Sequence, residues 1–126
     1  MVKIPKKIKV RFFKNKIGRQ PVRTWLLKLS KNRRKSIGED IKAVELGWPI
    51  GMPTVKPLGN KLYEVRTNLD DGTISRVFFS VYRNLMILLH GFIKKSKKTP
   101  RKDLDLARKR LKEFIDSQNL RGDKNE

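Results

Sequence analysis

Cysteine is absent from the 126 residues, which excludes disulfides, zinc thiolate centres and thiol nucleophiles together. There is one histidine, so metal chemistry would have to rest on carboxylates, and neither a metal nor a cofactor is expected. Carboxylates are themselves scarce: 12 Asp and Glu stand against 32 Lys and Arg. No uninterrupted apolar segment of about 18 residues is available to span a bilayer, and the N-terminus lacks the apolar core of a signal peptide. A cytoplasmic location without a membrane partner is the expectation. No glycine-rich phosphate loop, metal-binding repeat or paired-carboxylate spacing stands out either.

What remains is a small, very basic chain. Its length suits one core, and a single domain over residues 1–118 is expected, with the polar residues 119–126 fraying from its end. Hydrophobic residues make up 37% and charged residues 35%, with the apolar positions grouped in short runs, so the chain can fold. A net charge of +20 exceeds what solubility asks of a domain this size. A polyanionic partner explains it best. Nucleic acid comes first, because neutralising phosphates releases condensed counterions. An acidic protein would satisfy the same field.

Residues 1–19 hold eight basic side chains and no acid, yet Ile8, Val10, Phe12 and Phe13 predict a strand near 7–13. Pro21 suits the first turn of a helix, and Val22, Trp25, Leu26 and Leu29 form an apolar stripe running to about Leu29. Ser30 can cap a second helix in which Ile37, Ile41 and Val44 repeat at four and seven, and Gly47 ends it. The three prolines and two glycines between Trp48 and Gly59 predict an irregular crossing. Strands follow over 61–67, 74–82 and 85–92, joined by a turn at Asp71 and Gly72 and by a tight turn at Arg83 and Asn84. Thr99 and Pro100 signal a last helix whose stripe is Leu104, Ala107, Leu111 and Phe114 or Ile115. The fold class is α+β in the order β-α-α-β-β-β-α, an antiparallel sheet with helices packed on one face.

Period-two alternation puts Glu64 and Arg66 on one face of their strand. In the next strand the uncharged set Ser75, Val77, Phe79 and Val81 should lie under the helices. Arg76 then points the other way and, paired with Arg66 and Glu64, would form a charged cluster on exposed sheet surface. Ordinary solvent-facing residues would show the same pattern, so alternation leaves both readings open. Beyond His90 the chain turns basic: residues 93–112 carry ten basic and two acidic side chains. Charge runs are usually solvated faces, but this one leaves a buried strand and enters a helix N-terminus, which also favours anions. A lone histidine is more often packed than catalytic, and nothing beside His90 in the sequence supplies a nucleophile with a carboxylate behind the ring. An enzyme built here works with basic groups, and RNA permits that because its own 2′-hydroxyl is the nucleophile. One of Lys94, Lys95 or Lys98 would accept a proton while Arg66 and Arg76 act as charged clamps.

The run Leu62-Tyr63-Glu64-Val65-Arg66, then Arg76-Val77-Phe78-Phe79, then His90-Gly91-Phe92-Ile93-Lys94-Lys95 with Lys98-Thr99-Pro100, resembles the phage-derived, HigB-like branch of the RelE/ParE toxin superfamily. The likeness covers about Val10 to Phe114. It implies a RelE-like fold and the toxin of a type II toxin–antitoxin system. The implied activity is a metal-independent endoribonuclease, an mRNA interferase that cuts messenger RNA on the ribosome and inhibits translation. It also implies a cognate antitoxin with an acidic segment, itself a helix-turn-helix DNA-binding protein. By position, Arg66, Arg76, Lys95 and His90 are the catalytic candidates, and Glu64, Lys94, Lys97, Lys98, Thr99 and Arg101 the RNA-binding ones. The tyrosine that many RelE-like toxins carry near the start of the last helix has no counterpart, since that helix begins Pro100, Arg101, Lys102, Asp103. Its role would fall to His90 or a lysine. Two alternatives use the same charge: a ParE-like toxin that poisons DNA gyrase, and a non-catalytic RNA-binding module. Under the ribonuclease reading, Arg76→Ala should keep the fold and lose the effect.

Overall fold

Local signals start most of the elements where the sequence expects them. The computed structural model describes residues 8–95 and 98–124, with side chains through residue 120. The first strand is β1 (Lys9–Phe12), and Pro21 opens α1 (Pro21–Leu27). The hydroxyl of Ser30 accepts a hydrogen bond from the Arg33 amide at 3.3 Å, capping α2 (Lys31–Gly47). Then come β2 (Val55–Gly59), β3 (Leu62–Asn68), β4 (Ile74–Tyr82), β5 (Leu85–Lys94) and α3 (Arg101–Lys124). The Asp71 turn closes through the Leu69 amide on the Thr73 carbonyl, and Gly72 takes the positive φ it needs.

Five strands form one sheet in the order β1-β5-β4-β3-β2. The meander β2 to β5 is antiparallel, whereas β1 returns to lie parallel to β5. The α+β class stands. The strand β2 is an addition, since Pro57 and Gly59 had marked this stretch as irregular. It lies at the sheet's edge, where a proline without an N–H costs the ladder nothing on its outer side.

Side chains of opposite parity build two cores. Val65, Val77, Phe79, Met86 and Leu88 pack with Ile37, Ile41 and Val44 of α2 and with Val22, Trp25 and Leu26 of α1. Fully burying Ile37 and Val44 is worth about 1.5–3 kcal/mol each, more than the roughly 1 kcal/mol that Gly38 costs a helix interior. Leu62, Phe78, Ile87 and Leu89 instead pack with Ala107, Leu111 and Phe114 of α3. The first two helices thus share a face, as the Val77 set predicts, while the last helix covers side chains of the other parity. It also runs on to Lys124, through the segment read as a tail. Among the described residues no helix is long and apolar enough to cross a membrane.

Candidate active site

The register of β3, β4 and β5 stacks the predicted residues in rows on the α3 side of the sheet. Glu64 lies opposite Phe78, which lies opposite His90; Arg66 lies opposite Arg76, then Phe92; Asn68 lies opposite Ile74, then Lys94.

A β-bulge places the histidine. Phe79 pairs with Leu88 but Phe78 pairs with His90, leaving Leu89 as the extra residue. An unbroken alternation would send His90 with Leu88 into the α1/α2 core; the bulge turns it to the α3 side. Arg110 Nη1 donates to the Leu89 carbonyl at 2.8 Å, taking up an acceptor at the bulge. Burial lowers the Arg110 guanidinium from its ordinary value, against the opposing pull of the Glu113 carboxylate. On the far side of the same strand, a Cβ on Gly91 would meet the Trp25 ring at 2.5 Å, so α1 lies against the backbone directly behind the site.

Glu64 is the hub. Its Oε1 lies 3.2 Å from Arg66 Nε and 4.0 Å from Arg76 Nε. Its Oε2 accepts from the Thr99 hydroxyl at 3.3 Å. Arg76 Nη1 donates to the Lys98 carbonyl at 3.0 Å, so the two ends of these contacts tie the chain leading into α3 down onto the sheet. Buried charges are tolerated when paired and hydrogen-bonded in this way. The expected exposed cluster is therefore corrected: Glu64 and Arg76 side chains are 1% and 0% exposed, and only Arg66, at 22%, reaches solvent. Neither buried group can touch RNA from where it sits, and truncating Arg76 would leave a buried carboxylate short of a partner. The expectation that Arg76→Ala spares the fold is replaced for that reason.

His90 Nε2 lies 2.6 Å from Asp103 Oδ1. Its ring stacks on Phe92 at 5.5 Å and meets the edge of Phe78 at 6.1 Å. Asp103 thus supplies the carboxylate that sequence neighbours of His90 did not. The signal for it was present: Asp103, Ala107 and Leu111 recur at spacings of four, which places an acid on the buried stripe of α3. Thr99, read as the helix cap, spends its hydroxyl on Glu64, and the Pro100 carbonyl accepts the first helical amides instead.

Around this base the cations spread outward. Lys94 is half-buried, and Lys95, Lys98 and Arg101 are exposed; Lys97 lies outside the described residues. Arg66 also lines a cleft of about 320 Å³ with Asp40, Thr54 and Asn68. A larger cleft of about 540 Å³, between the β1–α1 loop and the end of α3, holds none of the predicted residues. Among the described residues no cluster of His, Asp or Glu could hold a metal ion.

The family model described as Phage derived protein Gp49-like (DUF891) matches residues 24–112, from α1 to α3. That span takes in every residue of the candidate site. Among curated proteins no sequence matches.

Proposed function

The chain belongs to the phage-derived Gp49-like family of toxin-like proteins, and from that premise we propose that it is the HigB-like toxin of a type II toxin–antitoxin pair, a metal-independent endoribonuclease acting on messenger RNA. The observation that carries this reading is one arrangement. Arg66 and Lys94 lie in the cross-strand rows beyond that of a half-buried His90, Lys95, Lys98 and Arg101 follow on the chain from β5 into α3, all five reach solvent, and Glu64 and Arg76 are buried beneath.

In this reading Arg66, Lys95 and Lys94 hold the scissile phosphate and offset the charge that builds on it as it becomes pentavalent. Arg76 acts from beneath by keeping Glu64 and the chain at Lys98 in place. The 2′-hydroxyl of the substrate is the nucleophile, which asks the protein for alignment and proton transfer only. Lys98 and Arg101 extend the cationic track, and the ribosome supplies a further polyanionic surface. The antitoxin carries acidic side chains, since it competes with RNA for this field.

Purified protein added to a translation reaction should halt synthesis and leave messenger with new 5′ ends, mapped by primer extension. Arg66→Ala and Lys95→Ala should each lower cleavage about 100-fold or more in protein that still folds. Intact messenger beside gyrase-linked DNA breaks would select the ParE-like alternative. Salt-sensitive RNA binding with no cleavage, on or off ribosomes, would select the binding module.

A further inference from the structure

We infer that His90 is the proton acceptor of the reaction and that Asp103, from the first turn of α3, is the residue that orients it. The inference rests on the ribonuclease reading and names its proton-transfer group. Three observations converge. The bulge spends one strand residue to bring His90 out of the α1/α2 core. Asp103 meets Nε2 at 2.6 Å. The ring stacks on Phe92 and meets the edge of Phe78, which restricts its plane.

A carboxylate on Nε2 sets the tautomer: Nε2 carries the proton and donates it to Asp103, and Nδ1 presents its lone pair. Nδ1 makes no hydrogen bond among the described residues. The side chain keeps 16% of its surface exposed. The helix N-terminus favours a carboxylate at Asp103, which keeps the orienting group in place. Asp103 contacts the ring, and the other charged side chains on the elements packed around it are Arg110 on α3, Glu64 and Arg66 on β3, Arg76 on β4, and Lys94 on its own strand.

The step balances within the RNA. Nδ1 takes the 2′-hydroxyl proton, the 2′-oxygen bonds to phosphorus, and the bond from phosphorus to the 5′-oxygen breaks. The departing oxygen takes a proton from water, and the imidazolium returns one to solvent. The products are a 2′,3′-cyclic phosphate and a 5′-hydroxyl.

The test is single-turnover cleavage of a defined messenger on programmed ribosomes, with protein varied to saturation. His90→Gln should lower the saturating rate about 100-fold or more, and Asp103→Asn about tenfold or more, each with half-saturation unchanged. The double variant should be no slower than His90→Gln, because Asp103 acts only through the ring. Since the chain has one histidine, nitrogen-15 NMR reads its tautomer without assignment. The unsubstituted protein should show Nε2 protonated, and Asp103→Ala should show a tautomer mixture. This arm stands even where His90→Gln does not fold. A parental saturating rate in His90→Gln overturns the inference and leaves the ribonuclease reading intact. So does a further slowing by Asp103→Asn in the His90→Gln background, or an Nδ1-protonated ring in the unsubstituted protein. Absence of cleavage by the unsubstituted protein overturns both.

Discussion

Arg76 has no exposed side-chain surface, whereas its cross-strand partner Arg66 keeps 22%. The same residue type therefore does two things in one row of the sheet. Arg76→Ala removes a partner from the buried Glu64 and frees the Lys98 carbonyl, and should destabilise the fold by about 3 kcal/mol, measured by urea unfolding. Arg66→Ala takes the nearer cation, at 3.2 Å, from the same buried carboxylate, but its own side chain reaches solvent, and should cost about 1–3 kcal/mol, while cleavage falls. Gly91 supplies a second residue-scale prediction. A Cβ there would overlap the Trp25 ring, so Gly91→Ala should cost about 1–3 kcal/mol. Trp25→Leu in the same chain should return part of the loss in thermal melting.

At the scale of the elements, β1 is an edge strand whose outer face is answered by a side chain. The Val10 amide donates to Glu45 Oε2 at 2.7 Å, and Lys42 donates to the other oxygen at 3.1 Å. The Val10 hydrogen bond, aided by Lys42 and opposed by burial, holds the Glu45 carboxyl below its ordinary range. A depressed folded pKa means stability present above the unfolded value and lost as pH falls through the folded one. The parent should therefore lose more stability than Glu45→Gln on acidification below about pH 4.5, by urea titration at several pH values. The same contact blocks an outward amide that would otherwise invite another strand. The elements themselves were largely legible in sequence: Pro21, Ser30, Gly47 and the Asp71-Gly72 turn act within a few residues of themselves. β2 was not, because Pro57 reads as a breaker until its strand is known to be an edge.

For the whole molecule the governing quantity is the net charge of +20. Single-strand binding should weaken steeply with salt, by about 0.7 in logarithmic slope for each phosphate neutralised. A triple substitution of Lys94, Lys95 and Lys98 to Gln should reduce that slope by about 2, measured by anisotropy across a salt series. A slope unchanged in that variant would move the RNA track away from the β5–α3 end.

The sequence by itself determined the class of fold, the strongly basic net charge and the membership of Glu64, Arg66 and Arg76 in one face. Periodicity and composition are local or summed quantities, and neither needs a partner in space. Only the tertiary structure decided depth and company. Arg76 went from a surface clamp to a buried strut because the chain at Lys98 and Thr99 closes over it. His90 gained Asp103, thirteen residues away, because a one-residue bulge reversed its side and α3 crossed the opposite face from its sister helices. Alternation predicts a side chain's parity, but a bulge changes it at the cost of one unpaired residue, and no local pattern records where a distant helix will lie.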